Sequence, residues 1–382
     1  MNLLDRHIFK SVLFSCVAAV GLFAFVVALA NFVRDLLGPF LAGQIEFGMM
    51  VRLLLLLFPY VVVYALPAGI LTGVLLTLGR LSADSEVTAM RAAGIGLLRV
   101  ARPVFVLGGL GMALALYSNF ESMPWARVQY HRELADAMRA NPLSFLVPKT
   151  FIRDFKGYVV YVRDRPAGGG LLRDLWIWEL DSQSRVRRLV RAESGRVDYD
   201  EAANELVVRL YRAKAEERTA DNPEDFSKFP KEPSLEKAED LRLPLASTLR
   251  QDIFHVKPEW LRYRQLQERR AELAKQGPAP GKAKEFAIAK MKLAMIVQEK
   301  ANLSLAVFAF AFVAVPLGIK VSRRETSANL GIAVLLVLGY YFLLTMVKWL
   351  DGHPEYRPDL LLWAPNLLFL GFGTWLLRRV ER

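Results

Sequence analysis

LSADSEVTAMRAAGIGLLRVARP, residues 81–103, decides how the rest of the chain is read. It is too polar to cross a membrane, yet it lies between two stretches apolar enough to do so. Read as a helix that starts near Ser82 or Asp84 and stops at Gly94, it carries acidic residues in its first turn and glycine past its end. The helix macrodipole and the C-cap geometry favour both. At about 100° per residue, Ala83, Val87 and Met90 form a narrow apolar stripe, with Glu86 on one edge and Arg91 on the other. Such a stripe suits a docking ridge for a partner and equally an interfacial helix lying on headgroups, and periodicity does not choose between them.

Working outward, the chain has 382 residues, 53% of them hydrophobic, and a mean hydropathy of +0.24 although 23% are charged. That mixture is unusual for one soluble domain and normal for a membrane protein with a water-exposed domain. The formal net charge is +12, but no nucleic-acid motif accompanies the basic residues, so nucleic acid is not an expected partner. The single cysteine, Cys16, falls inside an apolar run and excludes an intramolecular disulfide. His7, His131, His255 and His353 are scattered and form no metal motif.

Ser11–Val33 is free of charge and, at about 1.5 Å per residue, long enough to cross a hydrocarbon core of roughly 30 Å. It is read as a retained first span rather than a signal peptide, because it exceeds a usual h-region and no small-residue cleavage site follows. A Gly- and Pro-containing loop is expected to lead to Arg52. Leu53–Leu78 is a second span, kinked or locally rescued at Pro59 and Pro67. Val104–Tyr117, extended by Ser118, Asn119 and Phe120, is a third, and its Gly108, Gly109 and Gly111 permit close helix contact.

From about Arg127 to His255 short alternating or β-branched runs recur: KTFIRDF, GYVVYVRDR, LRDLWIWEL, RVDYD and NELVVRLYRAKAEE. Turn formers at Pro166–Gly169 and Asp200–Ala202 separate them, and Asp221–Asp240 is expected to be a loop. The spacing suggests an antiparallel sandwich, jelly roll or open half-barrel. Pro258–Lys275 and Lys282–Lys300 read as two charged helices broken at Gly277–Gly281. Ala301–Ile319, Leu330–Val347 and Leu360–Leu377 complete six spans.

The fold expected is therefore an α-helical membrane protein with six transmembrane helices and an inserted all-β, jelly-roll-like domain. Its parts are residues 1–126 (spans 1 to 3, with the polar helix at about 82–94), 127–256 (the β domain), 257–300 (a charged helical connection) and 301–382 (spans 4 to 6). Even parity puts both termini on one side. The flanks there are basic throughout: Arg6 and Lys10; Arg80, Arg91, Arg99 and Arg102; Lys320, Arg323 and Arg324; Arg378, Arg379 and Arg382. By the positive-inside rule that side is cytoplasmic, and the β domain lies across the membrane from it.

The chain lacks a Walker A loop, since GPAPGK at 277–282 has the wrong glycine spacing and no Ser or Thr follows. It also lacks a GxSxG elbow and a zinc spacing, so no catalytic residue, metal site or cofactor is assigned. Work driven by ATP would require a partner. Arg34 and Lys348 stand at the outer ends of the first and fifth spans. Long cationic side chains there either snorkel to the interface or face a cavity and bind an anionic lipid headgroup.

LTLGRLSADSEVTAMRAAGIG (76–96), placed after a Pro-containing second span, resembles the cytoplasmic coupling segment of the LptF/LptG family of lipopolysaccharide-export permeases. LLDRHIFKSVL (3–13), VAVPLGIKVSRRE (313–325) and the three-plus-three arrangement fit the same family. ANPLSFL (140–146) and DLLLWAPNLLF (359–369) look closer to the F-type subunit. The resemblance implies a bacterial inner-membrane half-transporter, both termini cytoplasmic. Its implied partners are a second related permease, a cytoplasmic ABC ATPase dimer and a periplasmic bridge protein. It implies extraction of lipopolysaccharide through a lateral opening at the first and fifth spans. Carried onto this chain, Glu86 matches the acidic coupling residue, within a surface made by Asp84, Glu86, Val87, Met90 and Arg91. Arg34 matches a basic headgroup-binding position, and Lys348 is a looser match. The connection 257–300 is longer and more charged than the family pattern. The alternative from a different class is a membrane-anchored scaffold or sensor whose β domain binds a ligand without transport.

Overall fold

The structure is a computed structural model, and it describes residues 3–41, 45–140, 148–153, 157–164, 171–181, 183–200, 205–217, 234–235, 239–243, 257–277, 283–320 and 326–381. Contacts divide the chain into two compact units. The first, residues 1–34, 52–129 and 257–382, is helical; the second, residues 35–51 and 130–256, carries the sheet.

Among the described residues six helices are long and apolar enough to cross a membrane. The first begins as α1 (Leu3–Asn31), widens into a π turn at Phe32–Leu36 and continues as α2 (Leu37–Leu41). The expected loop before Arg52 is thus largely helical. Pro39 sits early enough in α2 that its missing N–H deprives no earlier carbonyl in that short element, and α3 (Phe47–Ala83) resumes soon after. Helix α3 runs unbroken through Pro59 and Pro67, as spans do when neighbours support the freed backbone groups. After α4 (Glu86–Ala92) come α5 (Leu97–Tyr117), a π turn at Ser118–Ser122 and α6 (Met123–Ala140). Residues 127–140 are therefore helix rather than the start of the β region. The run RVQYHRELADAMRA has few β-branched residues and no turn former, and the third span continues into it.

Helix α7 (Tyr263–Gln276) folds back beside α8 (Ala283–Lys320), which merges the expected charged helix and the fourth span into one element. Helix α9 (Thr326–Lys348), the short α10 (Pro358–Leu361) and α11 (Ala364–Glu381) complete the unit. Helix α8 is its centre: 72% of its most apolar window is buried, against 17% for α1 and for α9. It packs on α5, α7, α10 and α11. Lipid tails are as apolar as leucine, so close fit rather than water exclusion holds such helices together. The fit is made by small residues. A Cβ on Gly73 would lie 2.5 Å from the Cys16 backbone, and one on Gly111 would lie 2.6 Å from Ile70 and 2.9 Å from Val307. Gly108 is similarly tight against Ala311, whereas Gly109 faces open space.

In the second unit the strands are β1 (Phe151–Ile152), β2 (Tyr158–Asp164), β3 (Leu171–Leu180), β4 (Val186–Asp200), β5 (Glu205–Glu217), β6 (Ser234–Leu235) and β7 (Glu239–Leu243). They join in one antiparallel sheet of order β1-β2-β3-β4-β5-β6, with β7 also on β5. A strict jelly roll needs a second sheet, and the described strands make only this one. The expectation therefore stands at the level of an inserted antiparallel β domain. The turn at 166–169 and most of the 221–240 loop lie outside the described residues, although β6 and part of β7 fall within that loop.

The buried face changes parity along one row of the sheet. On β3 it passes from Leu172 to Leu175 and Ile177; on β4 from Ala192 to Gly195 and Val197; on β5 from Leu210 to Ala213 and Ala215. Asp174 (φ 51°) and Arg212 (φ 50°) sit in that row with positive φ. The pairing register of β3 with β4 and of β4 with β5 is the same on both sides of that row, so the strands turn together there and keep their apolar side chains inward. On the other face Arg191 lies 4.4 Å over the Trp176 ring, and Trp176 Nε1 donates to Asp174 Oδ1 at 3.0 Å.

Candidate coupling and lipid-facing sites

Helix α3 ends at Ala83 because Ser85 adopts a left-handed conformation (φ 58°), which no α-helix continues through. The polar segment is thus shorter than the expected 82–94 helix, and α4 begins at Glu86. It closes with a Schellman pattern: Gly94 N–H donates to the Arg91 carbonyl, and Ile95 N–H to the Met90 carbonyl, around Gly94 at φ 81°.

The apolar stripe has a different role from a docking ridge. Val87 and Met90 are 3% and 9% exposed and belong to the main core of the helical unit. Seven residues are too few to hold a helix in water, so the stripe is spent on fastening α4 to its own protein. What remains outward is Asp84, Glu86 and Arg91, all exposed. Ser82 Oγ donates to the Ile319 carbonyl at 2.9 Å, which joins the end of α3 to the end of α8. Beside that bond a Cβ on Gly318 would lie 2.9 Å from Leu78 Cβ, so the two helices touch closely.

At the other ends of the spans, Arg34 is exposed in the π turn, and its Nη2 donates to Asn31 Oδ1 at 3.0 Å. Lys348 closes α9, and its Nζ lies 2.6 Å from Glu299 Oε1 on α8. The two cations sit on different helices with different partners. Between α1, α3 and the start of α9 runs an apolar groove of about 480 Å³, lined by Phe14, Ala18, Leu22, Thr72, Leu76 and Leu330.

A buried polar chain escaped the sequence reading. Asn366 donates to Asn302 Oδ1 at 2.6 Å and to the Asn302 carbonyl at 2.8 Å, and Asn302 donates to Tyr340 Oη at 3.3 Å. Asn119 donates to Ser304 Oγ at 3.0 Å. Lys300, 7% exposed, donates to the Leu261 carbonyl at 2.9 Å and lies 5.8 Å over the Phe120 ring. The signal was present in QEKANLS (298–304), where polar residues recur as the chain enters an apolar span. In a bilayer such groups cross-link helices, because an unpaired one has no water to turn to. Among the described residues no group of three or more His, Cys, Asp or Glu is placed to hold a metal.

Three spans, an inserted antiparallel β domain, three more spans and an outward polar helix between the second and third define a class of polytopic membrane protein. The family model of the lipopolysaccharide export system permease LptF/LptG matches residues 6–379. The chain belongs to that family. It is also similar to the lipopolysaccharide export system permease protein LptF of Escherichia coli K12, at 26% identity over 192 residues. The same protein of Shigella flexneri gives the same identity. These matches cover 50% of this chain and 52% of the relatives, so the chain spans about half the length of the curated relatives it matches.

Proposed function

We propose that this chain is one half of a permease pair that lifts lipopolysaccharide, or a lipid like it, from the inner membrane, driven by a cytoplasmic ABC ATPase dimer. The observation that carries the reading is the construction of α4. Its apolar residues fasten it to the core, its acidic and basic residues face outward, and Ser82 couples its base to α8. A partner gripping Asp84, Glu86 and Arg91 moves the spans as rigid bodies, which is how switching transitions are commonly built. The basic flanks of residues 80–102, 320–324 and 378–382 support a cytoplasmic position for this surface and for both termini.

Helices α1 and α9 are the least covered spans. Their open faces suit a second related permease, and the groove between α1 and α3, closed at one end by Leu330 of α9, suits acyl chains entering sideways. Arg34 supplies a guanidinium for the phosphate-bearing headgroup, and Lys348 joins it when its pair with Glu299 opens. The β domain, on the far side, has an apolar face that is buried here and that acyl chains occupy when its cover moves aside, since their exposure to water costs about 0.8 kcal/mol per CH₂. A periplasmic bridge protein of the export system continues the path from there.

The test is reconstitution with the related permease and the ATPase in vesicles containing lipopolysaccharide. ATP turnover should release lipid to a soluble acceptor. Turnover without lipid movement would favour an anchored sensor.

A further inference from the structure

Helix α7, the N-terminal part of α8, the turn before α10 and the start of α10 border a cavity of about 730 Å³. Its floor is apolar, with Met291 and Leu293 buried beneath it. Its wall carries Gln267, Arg270, Lys290 and Arg357, with Asp359 the single acid. The surrounding ion pairs explain which cations are spent and which are not. On α7, Arg264 pairs with Glu268 at 2.9 Å and Arg269 with Glu272 at 3.3 Å. Lys292 pairs with Asp351 at 3.2 Å. Among the described residues Arg270 and Lys290 have no acidic partner, so the cavity keeps a surplus of positive charge.

Arg357 is the fixed member. Its backbone is left-handed (φ 48°, ψ 54°), a conformation that costs an ordinary residue of order 1 kcal/mol or more and that persists where the surroundings demand it. Its Nε and Nη2 both meet the Asp359 carboxylate at 3.3 Å. A guanidinium has five N–H donors, so Asp359 aims it and leaves donors for a further anion.

Position selects the anion. The turn follows the apolar α9 directly, and around it Trp349 is 74%, Tyr356 61% and Leu360 52% exposed. Exposed indole and phenol rings beside leucine at the end of a span form the belt found at headgroup level. We propose that this cavity holds the phosphate of an anionic glycerophospholipid from the leaflet on the β-domain side, with the glycerol against the apolar floor. The bound lipid braces the α7–α8 hairpin against the turn. The site lies within one chain, uses neither Arg34 nor Lys348, and requires only that the helices span a bilayer. It therefore stands or falls separately from lipopolysaccharide transport.

The full chain, purified in mild detergent and stripped of lipid, should take up short-chain phosphatidylglycerol in preference to phosphatidylcholine, counted by native mass spectrometry. Arg270→Gln with Lys290→Gln should weaken that uptake about tenfold or more, the scale set by losing one charged contact. Both side chains are exposed and have no acidic partner among the described residues, so folding is kept. Arg357→Gly removes the third cation while relieving the backbone, and should weaken uptake without lowering the melting temperature. Equal uptake of the two lipids, or uptake unchanged in the variants, overturns the proposal. So does capture of inorganic phosphate or lipid A with no uptake of phosphatidylglycerol.

Discussion

Lys348 Nζ and Glu299 Oε1 meet at 2.6 Å and tie the C-terminal end of α9 to α8. Both side chains keep some exposure, 46% and 27%, so the pair is worth at most about 1 kcal/mol after solvent screening. A bond that weak can open when an anion competes for the amine. Glu299→Gln should therefore increase lipid photo-crosslinking to a probe near residue 348, and Lys348→Gln should decrease it, each with a small loss of thermal stability. Identical crosslinking in both variants would leave the pair a purely structural fastening.

The two faces of α4 separate experimentally. Glu86→Lys should abolish co-purification with the ATPase and leave the melting curve unchanged, because the side chain is exposed. Met90→Ala opens a void in the core and should cost about 2–5 kcal/mol, judged from soluble cores. If Glu86→Lys still brings the ATPase down, the acidic contact is not the one that matters.

Cys16 reports on how α1 seats. It is the only cysteine, is 3% exposed, and faces Gly73. In Gly73→Leu the new side chain has no room beside the Cys16 backbone, so α1 must lift. N-ethylmaleimide should label Cys16 slowly in the parent and many-fold faster in the variant. Equal rates would mean that α1 is already loose.

Lys300 holds the incoming chain through the Leu261 carbonyl. Lys300→Met keeps the apolar stem and removes the donor, a charged hydrogen bond worth about 1.5–3 kcal/mol. Chymotrypsin cleavage near Trp260 should accelerate while cleavage elsewhere stays constant.

Asp181 stabilises the β3–β4 hairpin. It accepts from the Arg185 and Gln183 backbone N–H groups and from the Arg185 guanidinium. The Arg185 backbone bond, chiefly, lowers its carboxyl below the usual carboxylate range, against a smaller opposing effect of burial. A lowered folded value gives stability that is complete above the ordinary Asp range and is lost as pH falls through the folded value. The stability difference between the parent and Asp181→Asn should thus be flat from neutral pH down to the usual Asp range and shrink only in stronger acid. A difference that varies around neutral pH would point to another group.

The spans were legible because long apolar runs leave a chain in lipid few options. The strands were legible from alternation. The role of Val87 and Met90 was not, because an apolar stripe on a short helix reads alike whether it faces a partner or its own core; only their burial in the core of the helical unit tells which. The helix across 127–140 was hidden by a polarity change that resembles a domain boundary. Asn302 and Asn366 were visible as residues, but their pairing requires knowing that α8 and α11 are neighbours.

Helix α8 is continuous over 38 residues, about 57 Å at 1.5 Å per residue, nearly twice the thickness of the hydrocarbon it crosses. Its C-terminal tip accepts the bond from Ser82, and its N-terminal half carries Lys300, the α7 hairpin and the cationic cavity. The helix stays continuous between these stations, through Pro316, so under the proposed coupling tilt at one station is carried to the other. Under the coupling proposed above, strokes delivered at one membrane surface reach the other through this one helix, and their timing is set by what grips its ends.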